Sequence, residues 1–275
     1  MLKQRIITAV GMALLFVAML FLLPSIGFAI AIISLVLIAA WEWSKLIKID
    51  STAGRVGYLI VLVCILAAAA FWLGMPDSFQ PQRAHNILLG AAALWAVIFL
   101  WVQGYPSSSI LWSPRPILGI LGLMLLTFTW LSVVSILASD YAQWGLLVGV
   151  IIVVLADVGG FVAGKLFGKH KLAPLVSPGK TWEGFLGGMV FQLLLIASLA
   201  VYLPAEISFI KLSLLVFPVA LYSVVGDLFE SMVKRNSGVK DSGALLPGHG
   251  GVLDRIDGIM AALPLYALVL GVYSS

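Results

Sequence analysis

The chain has 275 residues, of which 62% are hydrophobic and 10% charged, with a net charge of +4 and a mean hydropathy of +1.12. A soluble domain carries about 25% charged residues. This chain therefore lacks the polar side chains to cover a water-facing surface, and its class is integral membrane protein. Its one cysteine, Cys64, lies in an apolar run, so an intrachain disulfide is excluded and the redox compartment is not legible from it.

A bilayer span needs about 20 mostly apolar residues. On that rule the candidate spans lie at roughly 5–23, 27–46, 57–74, 86–103, 116–137, 144–164, 184–203, 208–228 and 257–274. Backbone polar groups cannot stay unpaired in hydrocarbon, so the spans are helices or strands of a closed barrel. The runs are continuous, not alternating, which selects helices. The expected fold is all-α, a polytopic membrane protein of about nine transmembrane helices. The first run is as long as a span and lacks a small-x-small site before the next, so it reads as a span and not a cleaved leader. There is no internal repeat and no low-complexity linker. The spans up to residue 137 carry no assignable chemistry. Residues 138–275 carry the polar loops, and the two parts are expected to form one functional unit.

Orientation follows from Lys and Arg in short loops, which favour the cytoplasmic side. With the N-terminus cytoplasmic, that side receives Lys3, Arg5, Lys45, Lys48, Arg55, Arg115, Lys165, Lys169, Lys171, Lys180, Lys234, Arg235, Lys240 and Arg255. The opposite side receives only Arg83 and Lys211. The positive charge is thus mostly topological, and a nucleic-acid partner has little left to explain. Two cytoplasmic segments, about 165–183 and 229–256, are longer than ordinary connections.

Ionisable residues gather at that same face. Asp157 and Asp227 fall at or near cytoplasmic ends of spans, where a carboxylate is costly unless it faces protein or water, and so is a functional candidate. The plainer alternative is a hydrogen bond to a neighbouring helix. Ser231 and Lys234 share a helix face with Asp227, and Glu230 lies beside them. In "DRID", Asp254 and Asp257 share a face if helical. Asp257 alone would be ordinary as an N-cap of the last span. The glycines of "GHGG" just before let backbone approach a ligand. His249 could be structural there, but beside Lys240, Asp241 and Arg255 it reads better as ligand-facing. Carboxylates suit a hard cation such as Mg²⁺, which takes one or two of them and completes its shell with phosphate oxygens and water. Lys and Arg neutralise remaining phosphate charge. No Cys/His cluster with zinc spacing occurs. The inferred ligand is a polyphosphate with Mg²⁺ at the cytoplasmic surface.

"SPGKTWEG", 177–184, contains GKT but is not a P-loop, because Pro174 stands where the first Gly is required and no strand precedes it. The DG-x-x-AR pattern of CDP-alcohol phosphotransferases fails at Ala262. No G-x-S-x-G or H-E-x-x-H occurs. What does match is "SMVKRNSGVKDSGALLPGHGGVLDRID", 231–257, which closely resembles the signature of phosphatidate cytidylyltransferases. Ser231, Lys234, Arg235, Lys240, Asp241, Gly243, Pro247, His249, Gly250, Gly251, Asp254, Arg255 and Asp257 carry the resemblance. "SPGKTWEG" resembles a second element of that family, seen also in CTP-using dolichol kinases. The "AAWEW" at 39–43, the length and the hydropathy agree too; Trp41 and Trp43 read as interface aromatics.

The resemblance implies the reaction of CTP with phosphatidate to give CDP-diacylglycerol and pyrophosphate, for phospholipid synthesis. It implies a multi-pass protein of a bacterial plasma membrane, with the active site on the cytoplasmic side. On this reading Asp227 and Asp254, with Asp257 next, hold Mg²⁺, and a second cation is allowed. Lys234, Arg235, Lys240, His249 and Arg255 hold phosphates, with Asp241 beside them. Ser177, Lys180 and Thr181 contact CTP, and Ser231 belongs to the substrate-binding set. A homodimer stays open. The alternatives are a CTP-dependent lipid kinase, with attack at the γ-phosphorus, and an ion-coupled transporter. The transporter fits less well, since it would place charges near the midplane of several helices.

Overall fold

The computed structural model of the protein describes residues 2–202, 208–245 and 250–273. In chain order it forms α1 (Leu2–Leu22), α2 (Ser25–Leu46), α3 (Thr52–Trp72), α4 (Pro81–Gln103), a one-turn α5 (Ser109–Trp112), α6 (Arg115–Leu137) and α7 (Ala142–Phe167). Strands β1 (Lys171–Ala173) and β2 (Ser177–Thr181) follow, then α8 (Trp182–Tyr202), α9 (Phe209–Ser237) and α10 (Leu253–Tyr273). The fold is all-α and polytopic. Among the described residues, α2, α3, α4, α6, α7, α8 and α9 are each long and apolar enough to cross a membrane.

Local chemistry sets the helix ends. Ser51 and Ser208 cap α3 and α9 by accepting from Gly54 N and Lys211 N. Pro81 opens α4 at a position where no amide donor is needed. α9 stops at Gly238, which takes a left-handed φ of +78° while its N–H and that of Val239 return to Arg235 and Lys234 carbonyls.

α6 is the most deeply buried of the apolar helices, whereas α3 is mostly exposed. Its hydroxyls solve their own solvation: Thr127, Thr129 and Ser132 donate to the carbonyls of Leu123, Leu125 and Phe128. Two tryptophans stitch α2 to α6, with Trp130 Nε1 donating to Ala29 O (3.1 Å) and Trp43 Nε1 to Leu118 O (2.9 Å). Trp43 is therefore a core residue and not an interface aromatic, because its indole N–H finds a carbonyl inside the bundle. Trp41 is half-buried, under the Arg55 guanidinium at 5.5 Å. α7 and α8 approach closely through Gly159, Gly187 and Gly188, and Gln192 Nε2 donates across to Ile152 O (2.9 Å).

The polar segments differ from the sequence expectation. The 165–183 stretch is not a plain loop: β1 and β2 pair antiparallel, Lys171 with Thr181 and Ala173 with Ser177. The 229–256 stretch is helical at both ends, since α9 runs to Ser237 and α10 starts at Leu253, leaving 238–252 as the connection. Charged residues usually end a span, but these face a protein-lined cavity, so the helices continue past the apolar limit.

Candidate active site

α7, α8, α9, α10 and the β-hairpin enclose a cavity of about 600 Å³. Its wall is apolar where Phe161, Phe185 and Met189 stand, and strongly charged elsewhere. Asp157 comes from α7, Lys180 and Thr181 from β2, Asp227 and Lys234 from α9, Asp241 from the connection, and Asp254, Arg255 and Asp257 from α10.

Helical spacing puts Asp227, Glu230, Ser231 and Lys234 on one side of α9. Ser231 Oγ donates to Asp227 Oδ1 (3.3 Å). Lys234 Nζ reaches both Glu230 Oε2 (2.5 Å) and Asp254 Oδ1 (2.6 Å), with Glu230 wholly buried and Asp254 nearly so. Breaking one member of such a buried set leaves an uncompensated charge, which costs about 3–5 kcal/mol.

Asp254, in the first turn of α10, is further fixed by backbone. Its Oδ2 accepts from Gly251 N (2.8 Å), Ser242 N (3.0 Å) and Ser242 Oγ (3.0 Å). Acidic groups are favoured there, where helix N–H groups are unpaired. Asp257 is not the N-cap of the last helix, because α10 already begins at Leu253; its Oδ1 accepts from Gly258 N (2.7 Å). Asp254 and Asp257 do share a face and both line the cavity.

The hairpin joins the two polar segments. Lys180 Nζ stands 2.7 Å from Asp227 Oδ2. Thr181 Oγ1 accepts from Gly184 N (3.1 Å), closing the first turn of α8. Glu183 holds the hairpin's entry: its carboxylate takes Lys169 N and His170 N and lies 2.6 Å from His170 Nδ1.

Of the residues singled out in the sequence, Lys180, Thr181, Asp227, Lys234, Asp241, Asp254, Arg255 and Asp257 converge on this cavity. Ser177 lies on β2 opposite Ala173, and Ser231 stands behind Asp227. Arg235 is exposed and reaches the hairpin turn, with Nε donating to Val176 O (3.4 Å). Lys240 is exposed on the connection. None of these four lines the cavity. His249 and Pro247 lie outside the described residues. Sequence reasoning noted Glu230 beside Lys234 without giving it a role, and passed over Glu42. Glu230 is the second carboxylate on Lys234. Glu42, in "AAWEW", is a buried acid from the N-terminal half that accepts from Val252 N (3.1 Å) and Leu253 N (2.8 Å). A lone acid inside an apolar run was the available signal.

The cavity's carboxylate oxygens are donors of the type that hard cations take. Among the described residues no cluster of three or more acidic, His or Cys side chains could hold a metal ion alone. Asp227 and Asp254 are each paired with an ammonium, from Lys180 and Lys234.

Fold and cavity together define a polytopic helical membrane protein whose internal site presents carboxylates, lysines and an arginine to a phosphate-bearing ligand. The chain belongs to the cytidylyltransferase family, which it matches over residues 3–273. It is similar to the phosphatidate cytidylyltransferase of Pseudomonas aeruginosa, with 41% identity over 98% of this chain and 97% of the relative. The phosphatidate cytidylyltransferase of Haemophilus influenzae is 35% identical over 97% of this chain and 98% of its own. That of Mycobacterium bovis is 31% identical over 98% and 88%.

Proposed function

We infer that this protein transfers the cytidylyl group of CTP to phosphatidate, forming CDP-diacylglycerol and pyrophosphate. The observation that carries the reading is the cavity in which the hairpin's Lys180 meets Asp227 of α9, uniting both family-like segments at one site. Phosphatidate supplies its own nucleophile, a phosphate oxygen already ionised near neutral pH, so no protein base is required. That oxygen bonds to the α-phosphorus of CTP, and the bond from this phosphorus to the bridging oxygen breaks, releasing pyrophosphate. The protein's work is alignment and charge stabilisation.

Lys180, Lys234 and Arg255 would neutralise phosphate oxygens, as cations lining the cavity. Glu230 and Asp254 hold the Lys234 ammonium from two sides, so its position is set before substrate arrives. The Phe161, Phe185 and Met189 wall offers apolar surface to the lipid. Asp227, with Asp254 and Asp257, would hold Mg²⁺, which supplies Lewis-acid stabilisation of nucleotide phosphates when bound.

The Lys and Arg distribution supports a cytoplasmic N-terminus and a cytoplasm-facing site in a cell membrane. The test is direct: purified protein, CTP, phosphatidate and Mg²⁺ should yield CDP-diacylglycerol and pyrophosphate in equal amounts. Release of CDP with a newly phosphorylated lipid would overturn the reading.

A further inference from the structure

Glu42 is 3% exposed and sits near the end of α2, in the half of the chain to which the sequence assigns no chemistry. Burying a carboxylate is costly unless charge or hydrogen bonds compensate. Among the described residues, the ion pairs do not include Glu42. Its compensation is instead the start of α10: Oε1 accepts from Val252 N (3.1 Å) and Oε2 from Leu253 N (2.8 Å). These amides belong to the unpaired donors of a helix N-terminus, where a carboxylate also meets the positive end of the helix dipole. Oε2 lies 3.2 Å from Ser242 Oγ, and that hydroxyl is 3.0 Å from Asp254 Oδ2. The same Asp254 holds Lys234.

The frame behind Glu42 is firm. Its neighbour Trp43 is bonded to Leu118 O and stacks near Phe229 of α9, with ring centroids 6.2 Å apart. One turn further on, Leu46 O accepts from Ser237 Oγ (2.6 Å), tying the end of α2 to the end of α9. Gly243 and Gly251 press against the Glu42 carboxylate so closely that a Cβ on either would collide with it. Space and hydrogen bonds therefore both fix Ser242, Gly243 and the 251–253 backbone on this one side chain.

We propose that Glu42 is a positioning residue for the reaction: it pins the N-terminus of α10 and Ser242 to α2, and so sets Asp254 and Arg255 opposite Lys234. This rests on the cytidylyltransferase reading above, which the wild-type assay tests separately. In Glu42→Gln one carboxylate oxygen becomes an amide nitrogen, which faces an N–H donor. Loss of one such bond to a charged acceptor is worth roughly ten- to a hundredfold.

The experiment compares wild type, Glu42→Gln and Ser242→Ala by steady-state kinetics and by hydrogen exchange of the detergent-solubilised protein. The expected result for Glu42→Gln is a kcat lower by about ten- to a hundredfold, with little change in KM for phosphatidate. Amide exchange should quicken in the segment 241–257 and stay unchanged in α2, α6 and α7. Ser242→Ala should move both readouts the same way and less. Wild-type kcat in Glu42→Gln overturns the proposal. So does faster exchange throughout the bundle with kcat per folded molecule unchanged, since that is a purely structural role. Should Glu42→Gln fail to fold, Ser242→Ala decides: wild-type kcat and exchange there overturn the proposal, and slowed turnover with local exchange supports it.

Discussion

Lys180 and Asp227 form an ion pair at 2.7 Å, although 47 positions separate them along the chain (227 less 180). Each neutralises the other, so neither stands as a bare ion in the cavity. If Lys180 holds a CTP phosphate, Lys180→Ala should raise the KM for CTP more than that for phosphatidate. A charge-assisted contact is worth about 1.5–3 kcal/mol, or roughly ten- to a hundredfold. Arginine should rescue only in part, because a planar fork replaces a point charge. Titration of each substrate in turn checks this, and unchanged KM for both would make Lys180 a topological charge. Asp227→Asn should nearly abolish turnover while the melting temperature stays close to wild type, because an anionic oxygen is lost from the cation's shell. Near-normal activity would remove Asp227 from the site. Thr181 illustrates the limit of reading single residues: its oxygen accepts from Gly184 N and so also starts α8.

Helix crossings set where these side chains can be. α9 and α10 meet at Gly226, where an added Cβ would run into the Asp257 carbonyl and the Ala261 methyl. The adjacent residue is Asp227, so this contact sets how far the carboxylates of the two helices stand apart. Gly226→Ala should force the helices to shift, at a cost of about 1–3 kcal/mol. A lower melting temperature in detergent together with reduced turnover is expected, and wild-type values for both would show that the crossing has slack. The hairpin is the other deciding element. Its short antiparallel register faces Lys180 toward the cavity, and Glu183 secures its entry through two backbone N–H groups. A segment rich in Gly, Pro and Lys gives little alternation, which is why β1 and β2 were not legible as strands.

At the scale of the whole molecule, the charged cavity lies where α7, α8, α9 and α10 and the hairpin come together, at the end that the Lys and Arg distribution assigns to the cytoplasm. If so, a reporter active only in the cytoplasm should stay silent when fused after Ser275. An active fusion would reverse the orientation. Chelation of divalent cations should silence the wild-type enzyme and Mg²⁺ should restore it, since the cavity's Lys180 and Lys234 ammonium groups are already paired with carboxylates and a nucleoside triphosphate brings further negative charge. Activity unaffected by chelators would remove the metal from the reaction.

The sequence by itself determined the all-α membrane class, because backbone in hydrocarbon pairs only as helices or a closed barrel, and continuous rather than alternating apolar runs select helices. It also marked most of the cavity's charged residues, since charges kept in so apolar a chain stand out as functional candidates. Helix ends were misjudged for a physical reason: hydropathy registers lipid contact, and α9 and α10 go on as helices where they face a protein cavity. Only the tertiary structure decided which charges meet. It paired Lys180 with Asp227 and Lys234 with Asp254, left Lys240 on the exposed connection, and brought Glu42 from the N-terminal half to the start of α10. Pairings of that kind depend on how the helices pack, and packing is set by side-chain shape across neighbouring helices, which no periodicity along a single chain records.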